Sequence, residues 1–455
     1  MSEQAKAYPR KHFFIEMFTR DISLEDCVLD LIDNSIDGLI RFKQIDLSGN
    51  LLKEHKPLSP KELDDLPKIE ITYNSKGNQF KIQDACGGIT RKHAQNEIFN
   101  FGHAEGDVEG TLGVYGIGLK RAIFKLGNVF NMESKTVDEG FAVKGLNLKK
   151  WAEKDDDIKD WVIPLTFIPG SASKTTAGTT ITMTELRPEV IMRMDDGTFD
   201  TLLYSTISQS YSLFLNKYVH IILNGTTVSP FPIPLGQSLQ VTPAHDEYQA
   251  RDVKVSILAS LAQRNAKGEW PLEPAGWYVL CNGRIVVAAN KTELTGWDTP
   301  GCPAWHNSKH RGFVGIVLFQ SPNALSLPWT TTKRGLNRES AAYINARNRM
   351  KGVAKPILSF LDRMYKNEVP EEIAEREIAA DVKSVSLSSI ASKPQTQFKV
   401  DYTHVRTPKT TVRVQYDAEM SALDRIRKKL NKSSLGAGKV GKFTFDYYLK
   451  TECPK

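Results

Sequence analysis

The chain has 455 residues, of which 40% are hydrophobic and 25% charged, with a net charge of +7; this composition is typical of a globular protein with two or three domains. It contains no run of about 18 apolar residues and begins without the apolar core of a signal peptide, so we expect neither a membrane span nor export. Its five scattered cysteines form no CxxC pair, which argues against disulfides and a zinc site and favours a reducing cytoplasm.

Residues 24–39 read LEDCVLDLIDNSIDGL and predict an amphipathic helix. Asp30, Asn34 and Asp37 stand at i, i+4 and i+7, so they share one helical face. A carboxamide oxygen suits Mg²⁺, and a carboxylate four residues earlier suits polarising a water molecule, which together indicate phosphate chemistry. A solvated acidic face is the alternative interpretation.

The next segment predicts a β-hairpin, with strands at residues 69–73 and 80–83, and this hairpin ends at Asp84. Gly87 and Gly88 follow, and their lack of side chains lets the backbone approach a flat ligand. A carboxylate in this position would accept a hydrogen bond from an exocyclic amine such as adenine N6. An ordinary strand-ending turn explains the same residues.

A glycine-punctuated stretch, GVYGIGLKRAIFKLG, spans residues 113–127 and leads into a predicted helix at 119–126. Backbone N–H groups at a helix N-terminus face anions well, and Lys120 adds a positive charge, so the segment resembles a phosphate cradle. It is neither a Walker loop nor a dinucleotide fingerprint. A strand, AGTTITMTEL at 177–186, comes later and carries Gly178 and Thr179 at its start.

The order and distances of these four motifs resemble the GHKL ATPase superfamily, which includes gyrase B subunits, MutL proteins, ninety-kilodalton heat-shock chaperones, MORC proteins and histidine kinases. The similarity is greatest to MORC-like prokaryotic proteins. The family motif Glu-x-x-x-Asn corresponds here to Asp30-x-x-x-Asn34. Asp84 matches the adenine-reading acid, and Thr179 matches the residue whose hydroxyl supports that acid through water.

The resemblance implies ATP and Mg²⁺ as cofactors, with Asp30 as the catalytic base and Asn34 as the metal ligand. The implied nucleotide-binding residues are Asn34, Asp84, Gly88, Gly113, Tyr115, Gly116, Ile117, Gly118, Leu119, Lys120 and Thr179. Two departures from the family pattern matter. Asp30 is about one methylene shorter than Glu, so hydrolysis is expected to be slow or Asp33 to share the task. Cys86 stands where the family has a glycine.

The resemblance continues into a second domain of the S5-like transducer type. A helix is predicted at residues 200–216, a hairpin turn at Asn224-Gly225, and strands at 276–287 and 312–319. The loop LPWTTTKRGLN follows, and Lys333 in it matches the family lysine that reaches the terminal phosphate. Asn282-Gly283-Arg284 is similar to a signature of MutL transducer domains.

We therefore predict an α+β protein: a Bergerat-type α/β sandwich ATPase domain, an S5-like α/β transducer domain and a small basic C-terminal region. The predicted boundaries are an N-terminal arm at 1–20, the ATP-binding domain at 21–197, the transducer at 198–368, and a linker with the basic region at 369–455.

The C-terminal part combines predicted helices with a basic tail. Helices are predicted at 340–365, 371–380 and 418–430, and a Ser- and Lys-rich linker at 382–397. Residues 382–455 carry fifteen Lys and Arg against six Asp and Glu, which favours a polyanion such as nucleic acid, or simple solubility. In KFTFDYYLK, the aromatic residues either stack on bases or belong to the core strand of a small domain.

Three function classes follow from the resemblance. The first is an ATP-driven homodimeric clamp on DNA or a protein partner, closed by exchange of the N-terminal arm, whose aromatic residues otherwise pack locally. Prokaryotic MORC-like relatives are associated with DNA maintenance or antiviral defence, which extends this reading. The second is an ATP-binding sensor or chaperone-like protein with little hydrolysis. The third, a histidine kinase, is disfavoured because about 270 residues follow the last ATP motif.

Overall fold

The computed structural model describes residues 10–45, 51–52, 58–100, 112–113, 116–154, 158–365, 371–402 and 414–453. The chain divides into two compact units, Met1–Tyr402 and Thr403–Lys455. None of the helices in the described ranges is long and apolar enough to cross a membrane.

The helices of the described residues follow in chain order. They are α1 Lys11–Thr19, α2 Leu24–Lys43, α3 Pro60–Asp64, α4 Arg91–Asn96, α5 Gly118–Leu126, α6 Leu148–Glu153, α7 Pro188–Asp195, α8 Phe199–Ser210, α9 Ala341–Tyr365, α10 Glu371–Ala380, α11 Leu387–Ala391, α12 Met420–Lys429 and α13 Ala437–Glu452. Short 3₁₀ turns lie at Ile158–Asp160, Glu293–Thr295, His310–Gly312 and Ala324–Ser326.

The strands fall into two larger sheets and two small pairs. They are β1 Lys68–Asn74, β2 Gln79–Asp84, β3 Gly127–Lys135, β4 Glu139–Asn147, β5 Thr166–Pro169, β6 Gly178–Leu186, β7 His220–Leu223, β8 Thr226–Thr227, β9 Gly236–Gln237, β10 Val241–Thr242, β11 Ala244–Ala250, β12 Val253–Leu261, β13 Gly276–Cys281, β14 Arg284–Asn290, β15 Phe313–Gln320, β16 Lys383–Ser384 and β17 Lys399–Val400.

The first sheet has the strand order β5-β4-β3-β6-β2-β1-β7-β8 and is mixed, because β1 and β7 run parallel while the other neighbours are antiparallel. With its helices it forms what we call the first domain. The α+β prediction is confirmed here. The structure differs from the predicted boundary at residue 197, because β7 and β8 extend this sheet instead of starting the next one.

Helix α2 packs its apolar residues into the core of the first domain. Its start is capped by Ser23, whose Oγ accepts the Asp26 N–H at 3.1 Å, which satisfies a donor that the helix itself leaves open. Apolar residues on α2 are buried, as the helical periodicity predicts. They are Leu24, Cys27, Val28, Leu29, Leu31, Ile32, Ile36, Leu39 and Ile40. Helix α5 packs against α2, and this contact brings the glycine-rich segment to the predicted motif helix.

The second sheet, with strand order β11-β12-β15-β13-β14, packs against α9; together they form what we call the second domain. The segment at 276–287, predicted as a strand, is split by a turn into β13 and β14, and the predicted strand at 312–319 is seen as β15. Strand β13 runs parallel to β15 and antiparallel to β14. The turn between β13 and β14 carries Asn282 and Gly283, both with positive φ.

The predicted linker at 382–397 is wrong, since this segment has regular structure packed on the second domain. Strand β16 pairs with β9, and α11 contacts β12. Val382 and Ile390 in this segment, and Phe398 directly after it, are buried. A Ser- and Lys-rich composition resembles that of linkers, but three well-spaced apolar residues are enough to fix the segment to a core.

The predicted strand in KFTFDYYLK is also wrong, because residues 437–452 form helix α13. The aromatic residues alternate with polar ones only over a short window, and the longer run reaches about four turns of helix, in which Phe443, Phe445, Tyr447 and Tyr448 are exposed. The predicted core strand therefore does not exist. The basic helix predicted at 418–430 is confirmed as α12, which packs against α13.

Candidate functional site

A cleft in the first domain gathers residues from distant parts of the chain. Its walls come from α2, the ends of β2 and β6, the segment before α5, the start of α5, and the loop that holds Lys333. The predicted site residues that line it are Asp30, Asn34, Asp84, Gly88, Gly113, Gly116, Ile117, Gly118, Leu119, Lys120, Thr179 and Lys333. Tyr115 lies outside the described residues.

One face of α2 forms a continuous wall of this cleft. Asn34 is exposed although the residues on either side of it are buried, so its carboxamide points toward open space. Asp37 is buried, and its two oxygens accept the N–H groups of Leu112 at 2.6 Å and Gly113 at 2.7 Å. Asp37 therefore holds the backbone of Leu112 and Gly113 in place. Burial raises the pKa of Asp37 to about 6.

Asp30 lies at the inner end of the cleft with only 3% of its surface exposed. Its Oδ2 accepts two hydrogen bonds from the Arg121 guanidinium, at 2.5 Å from Nη2 and 3.1 Å from Nε. Burial raises the pKa of Asp30, while Lys333 and Arg121 pull it back. A carboxylate with a raised pKa is better suited to take a proton near neutral pH than an exposed one.

The start of α5 approaches Asp30 closely, and the segment before it approaches Asp37. A Cβ on Gly118 would lie 3.1 Å from Asp30 Cβ, and a Cβ on Gly113 would lie 2.8 Å from Asp37 Oδ2. Glycine at both positions therefore lets the backbone N–H groups of this segment line the cleft. The phosphate cradle that the sequence predicts in this segment stays a prediction.

Asp33 does not line the cleft, although it is adjacent in sequence to Asn34. Its Oδ1 accepts the Tyr211 hydroxyl at 2.7 Å, and its Oδ2 accepts Arg284 Nη1 at 2.7 Å and Lys333 Nζ at 2.6 Å. Both oxygens are thus engaged behind the cleft. The alternative in which Asp33 shares the task of the base is contradicted by this placement.

Lys333 reaches this cluster from a loop of the second domain. Its backbone has φ 55°, in the left-handed region, and its side chain is 6% exposed. The neighbouring Arg334 forms an ion pair with Asp26 near the start of α2. Two adjacent cations therefore attach this loop to two points on the same helix.

Asp84 lies at the opposite end of the cleft from this charge cluster. Its Oδ1 accepts the N–H groups of Cys86 at 3.0 Å and Thr179 at 3.2 Å, and its Oδ2 accepts the Ser35 hydroxyl at 2.9 Å. Burial raises the pKa of Asp84. One acceptor position on Oδ2 remains for a ligand amine, since a carboxylate oxygen accepts two hydrogen bonds.

Thr179 contacts Asp84 directly through its backbone, and the water-mediated role of its hydroxyl stays a prediction. The backbone N–H of Thr179 reaches Asp84, and its hydroxyl pairs with Ser134 Oγ at 2.8 Å. Gly178 is required beside it, because a Cβ there would lie 1.9 Å from the Asp84 carbonyl oxygen. Close packing of β6 on the end of β2 explains both observations.

Apolar side chains surround the Asp84 end of the cleft. They are Leu31, Ile82, Ile89, Ile98, Met132 and Ile181. An apolar lining together with a buried carboxylate suits a purine that carries an exocyclic amine. The residues at this end therefore fit an adenine ring.

Lys120 lines the cleft but directs its ammonium toward backbone. Its Nζ donates to the Ile98 carbonyl at 2.7 Å, and burial lowers the pKa of Lys120 to about 7. The sequence predicts a phosphate contact for this side chain. This hydrogen bond joins Lys120 to the segment after α4.

A metal site built from protein side chains alone is not found among the described residues, since no cluster of three or more His, Cys, Asp or Glu is placed to hold an ion. The exposed carboxamide of Asn34 nevertheless fits Mg²⁺, because that ion is typically held by one or two protein oxygens together with phosphates and water. The donor set therefore suits a metal that arrives with a nucleotide.

Sequence reasoning missed Arg121, Arg41, Tyr211 and the contact of Arg284. Arg41 follows Asp37 by four residues on α2 and lines the mouth of the cleft, so helical spacing would have found it. Arg121 follows Gly118 by three residues, but nothing in the sequence pairs it with Asp30. Tyr211 and Arg284 have no local signal.

Comparison with protein families supports a GHKL-type ATPase domain. Residues 22–179 match the family described as histidine kinase-, DNA gyrase B- and HSP90-like ATPase. The matched part, about a third of the chain, includes Asp30, Asn34, Asp84 and the glycine-rich segment. A comparison with curated proteins gives no match.

Proposed function

We propose that the protein binds ATP with Mg²⁺ in this cleft and hydrolyses the ATP slowly. The observation that carries the proposal is the meeting of a buried carboxylate, an exposed carboxamide and glycine-lined backbone at one end of a cleft whose other end holds Asp84 in apolar surroundings. The family match over residues 22–179 supports it.

Each residue has a distinct role in the proposed reaction. Asp84 accepts the adenine amine, and Asn34 would hold Mg²⁺, which neutralises part of the phosphate charge when bound. Asp30 orients the attacking water and takes its proton. Lys333 and the N–H groups before α5 stabilise charge on the transferred phosphoryl group.

Asp30 favours slow turnover. It is shorter than the Glu of the family motif, and its Oδ2 already accepts two hydrogen bonds from Arg121, so only Oδ1 is available to a water. The same observation supports the second candidate function, an ATP-binding sensor or chaperone-like protein acting on a protein partner with little hydrolysis.

We further propose that ATP closes a homodimer. Lys333 comes from the second domain, so its contact with a terminal phosphate would fix both domains in one arrangement. Exchange of the N-terminal arm is a proposal for the dimer contact. In the described residues α1 packs locally: Phe14 contacts Trp161, with ring centroids 5.6 Å apart, while Phe13 is exposed. Tyr8 lies outside the described residues.

A role on DNA, in MORC-like maintenance or antiviral defence, is the finer part of the proposal. The basic residues of α12, Arg425, Lys428 and Lys429, are exposed and suit contact with phosphates. The exposed aromatic residues of α13 suit stacking on bases. Both features belong to the small C-terminal unit.

Phosphate release by the purified protein, with and without duplex DNA, tests the catalytic part. Asp30→Ala is expected to lower the rate roughly 10²–10⁴-fold, the usual contribution of a general base, while ATP binding by calorimetry remains. Asp417→Ala, on the C-terminal unit, is the matched control. If Asp30→Ala hydrolyses ATP as fast as the parent, the assignment of the base is wrong. If the parent binds but hardly hydrolyses, the sensor function is favoured.

Light scattering after size exclusion tests the clamp. We expect a dimer with a non-hydrolysable ATP analogue and a monomer with ADP, because only the analogue supplies the terminal phosphate. The same mass with both nucleotides contradicts nucleotide-gated closure.

A further inference from the structure

The second domain contributes two buried cations to one carboxylate of α2. Arg284 Nη1 and Lys333 Nζ both donate to Asp33 Oδ2, and the side chains of Arg284 and Asp33 are 2% and 1% exposed. The third partner, Tyr211, is uncharged when it donates its hydroxyl. This Asp33 cluster (Asp33, Tyr211, Arg284 and Lys333) therefore contains one negative and two positive charges.

The surplus positive charge of the cluster is not cancelled by the acid next to it. Asp30 is already paired with Arg121, so these two side chains balance each other. A net charge in surroundings this buried is costly unless a counter-charge comes near. Lys333 lines the cleft, whereas Asp33 and Arg284 lie behind it, so Lys333 is the one cation of this cluster that an anion in the cleft can approach.

Arg284 is fixed in place by the turn that precedes it. Gly283 has φ 87°, and a Cβ there would lie 3.0 Å from Leu51 and 3.1 Å from Phe214, so the turn packs tightly on the first domain. Arg284 Nε is buried and has no hydrogen-bond acceptor among the described residues. In the described residues, the guanidinium contacts this cluster through its hydrogen bond to Asp33 and through the Tyr211 ring, whose centroid lies 5.7 Å from the guanidinium carbon.

We propose that Arg284 is a positioning residue that neutralises Asp33 and thereby leaves Lys333 as an uncompensated cation for the terminal phosphate. The proposal rests on ATP binding as the proposed function. Its consequence is a preference for ATP over ADP, since only ATP has a phosphate at the Lys333 end. Without Arg284, Asp33 would cancel the charge of Lys333, and the preference would fall.

Calorimetry with ADP and with a non-hydrolysable ATP analogue measures this preference as the ratio of the two dissociation constants. Arg284→Gln lowers the charge of the cluster from +1 to zero, and we expect the ratio to fall roughly tenfold or more, the usual worth of a charge-assisted hydrogen bond, with ADP affinity unchanged. Arg338→Gln is the matched control, because Arg338 pairs with Glu293 at the surface of the same domain.

The double variant Asp33→Asn/Arg284→Gln separates the effect of the cluster's net charge from the effect of losing native side chains. It restores the net charge of +1 on Lys333, so we expect the ratio to return toward that of the parent, although two native side chains are lost. Asp33→Asn alone raises the net charge to +2 and is expected to raise the ratio. Should Arg284→Gln fail to fold, the double variant and Asp33→Asn still test the dependence on charge.

Two results overturn the proposal: a ratio in Arg284→Gln equal to that of the parent, or a double variant whose ratio does not exceed that of Arg284→Gln. If Arg284→Gln cannot be measured, equal ratios in the parent and Asp33→Asn overturn it. These results differ from failure of the proposed function, in which the parent protein itself binds neither nucleotide.

Discussion

The two ends of the cleft are built in different ways. At the Asp84 end, one carboxylate is held by backbone N–H groups and a hydroxyl, and apolar side chains of the first domain surround it. At the Asp30 end, two carboxylates of α2 bind buried cations, two of which come from the second domain. The first end is therefore complete within one domain, whereas the second exists only when both domains are packed together.

The Asp84 end can therefore recognise a ligand, whereas the Asp30 end can couple ligand binding to the position of the second domain. A ligand group bound at the Asp84 end contacts the first domain alone. A group bound at the Asp30 end also contacts Lys333, so its binding energy depends on the position of the second domain. Variants at the two ends should accordingly change different measurements.

The largest effect on nucleotide affinity is expected for Asp84→Asn, which changes the recognition end. An Asn side chain has one acceptor oxygen and an NH₂ group, so it cannot accept from Ser35, Cys86, Thr179 and a ligand amine together. We expect affinity for both ATP and ADP to fall roughly a hundredfold, since charged hydrogen bonds are worth the most. Calorimetry measures this, and equal affinity in parent and variant would contradict the role of Asp84.

Arg121→Gln tests the other end without touching Lys333. Arg121 lowers the pKa of Asp30 against the effect of burial, so its loss should raise that pKa further. Asp30 acts as a base only when ionised, and the acidic limb of the pH–rate profile should move to higher pH. If the acidic limb lies at the same pH in both proteins, ionisation of Asp30 does not control the rate. Adenine recognition should be unchanged, which ADP binding at neutral pH checks.

Lys11→Met is a change outside both ends of the cleft, and it should affect stability without affecting nucleotide binding. The buried Lys11 ammonium donates to the carbonyls of Trp151, Lys154 and Asp160, and it lies 4.0 Å from the Trp151 ring centroid. Loss of these bonds should lower the free energy of unfolding by about 1–3 kcal/mol. Thermal or urea unfolding measures the loss, and nucleotide affinity should stay that of the parent. A change in affinity without a change in stability would assign Lys11 to the cleft.

Asp37→Asn is expected to change the pH dependence of stability. The folded-state pKa of Asp37 is raised from 3.8 to about 6, so the folded protein binds this proton more tightly than the unfolded chain. This contribution is fully present below pH 3.8 and is lost as pH rises to about 6. The parent should therefore lose stability relative to Asp37→Asn across that window. If stability depends on pH in the same way in both proteins, Asp37 does not have a raised pKa in the folded state.

Local pattern was enough to predict most of the first domain and much of the cleft. Helical spacing places Asp30, Asn34 and Asp37 on one face of α2, and hairpin chemistry places Asp84 at a strand end. The glycines before α5 indicate that the backbone there comes close to another group. These features depend on neighbouring residues, so they can be read without knowledge of the fold. The errors at 382–397 and in KFTFDYYLK arose where short windows suggested one structure and packing over a longer segment decided another.

Which charges meet was decided only by the tertiary structure. Asp30 and Arg121 are 91 residues apart, and Asp33 is 251 residues from Arg284 and 300 from Lys333. Asp33 and Asn34 are adjacent on the same helix, yet a rotation of about 100° per residue directs one into the core between the domains and the other into the cleft. The sequence thus determines which side chains are available, and packing of the second sheet against α2 determines their charge partners.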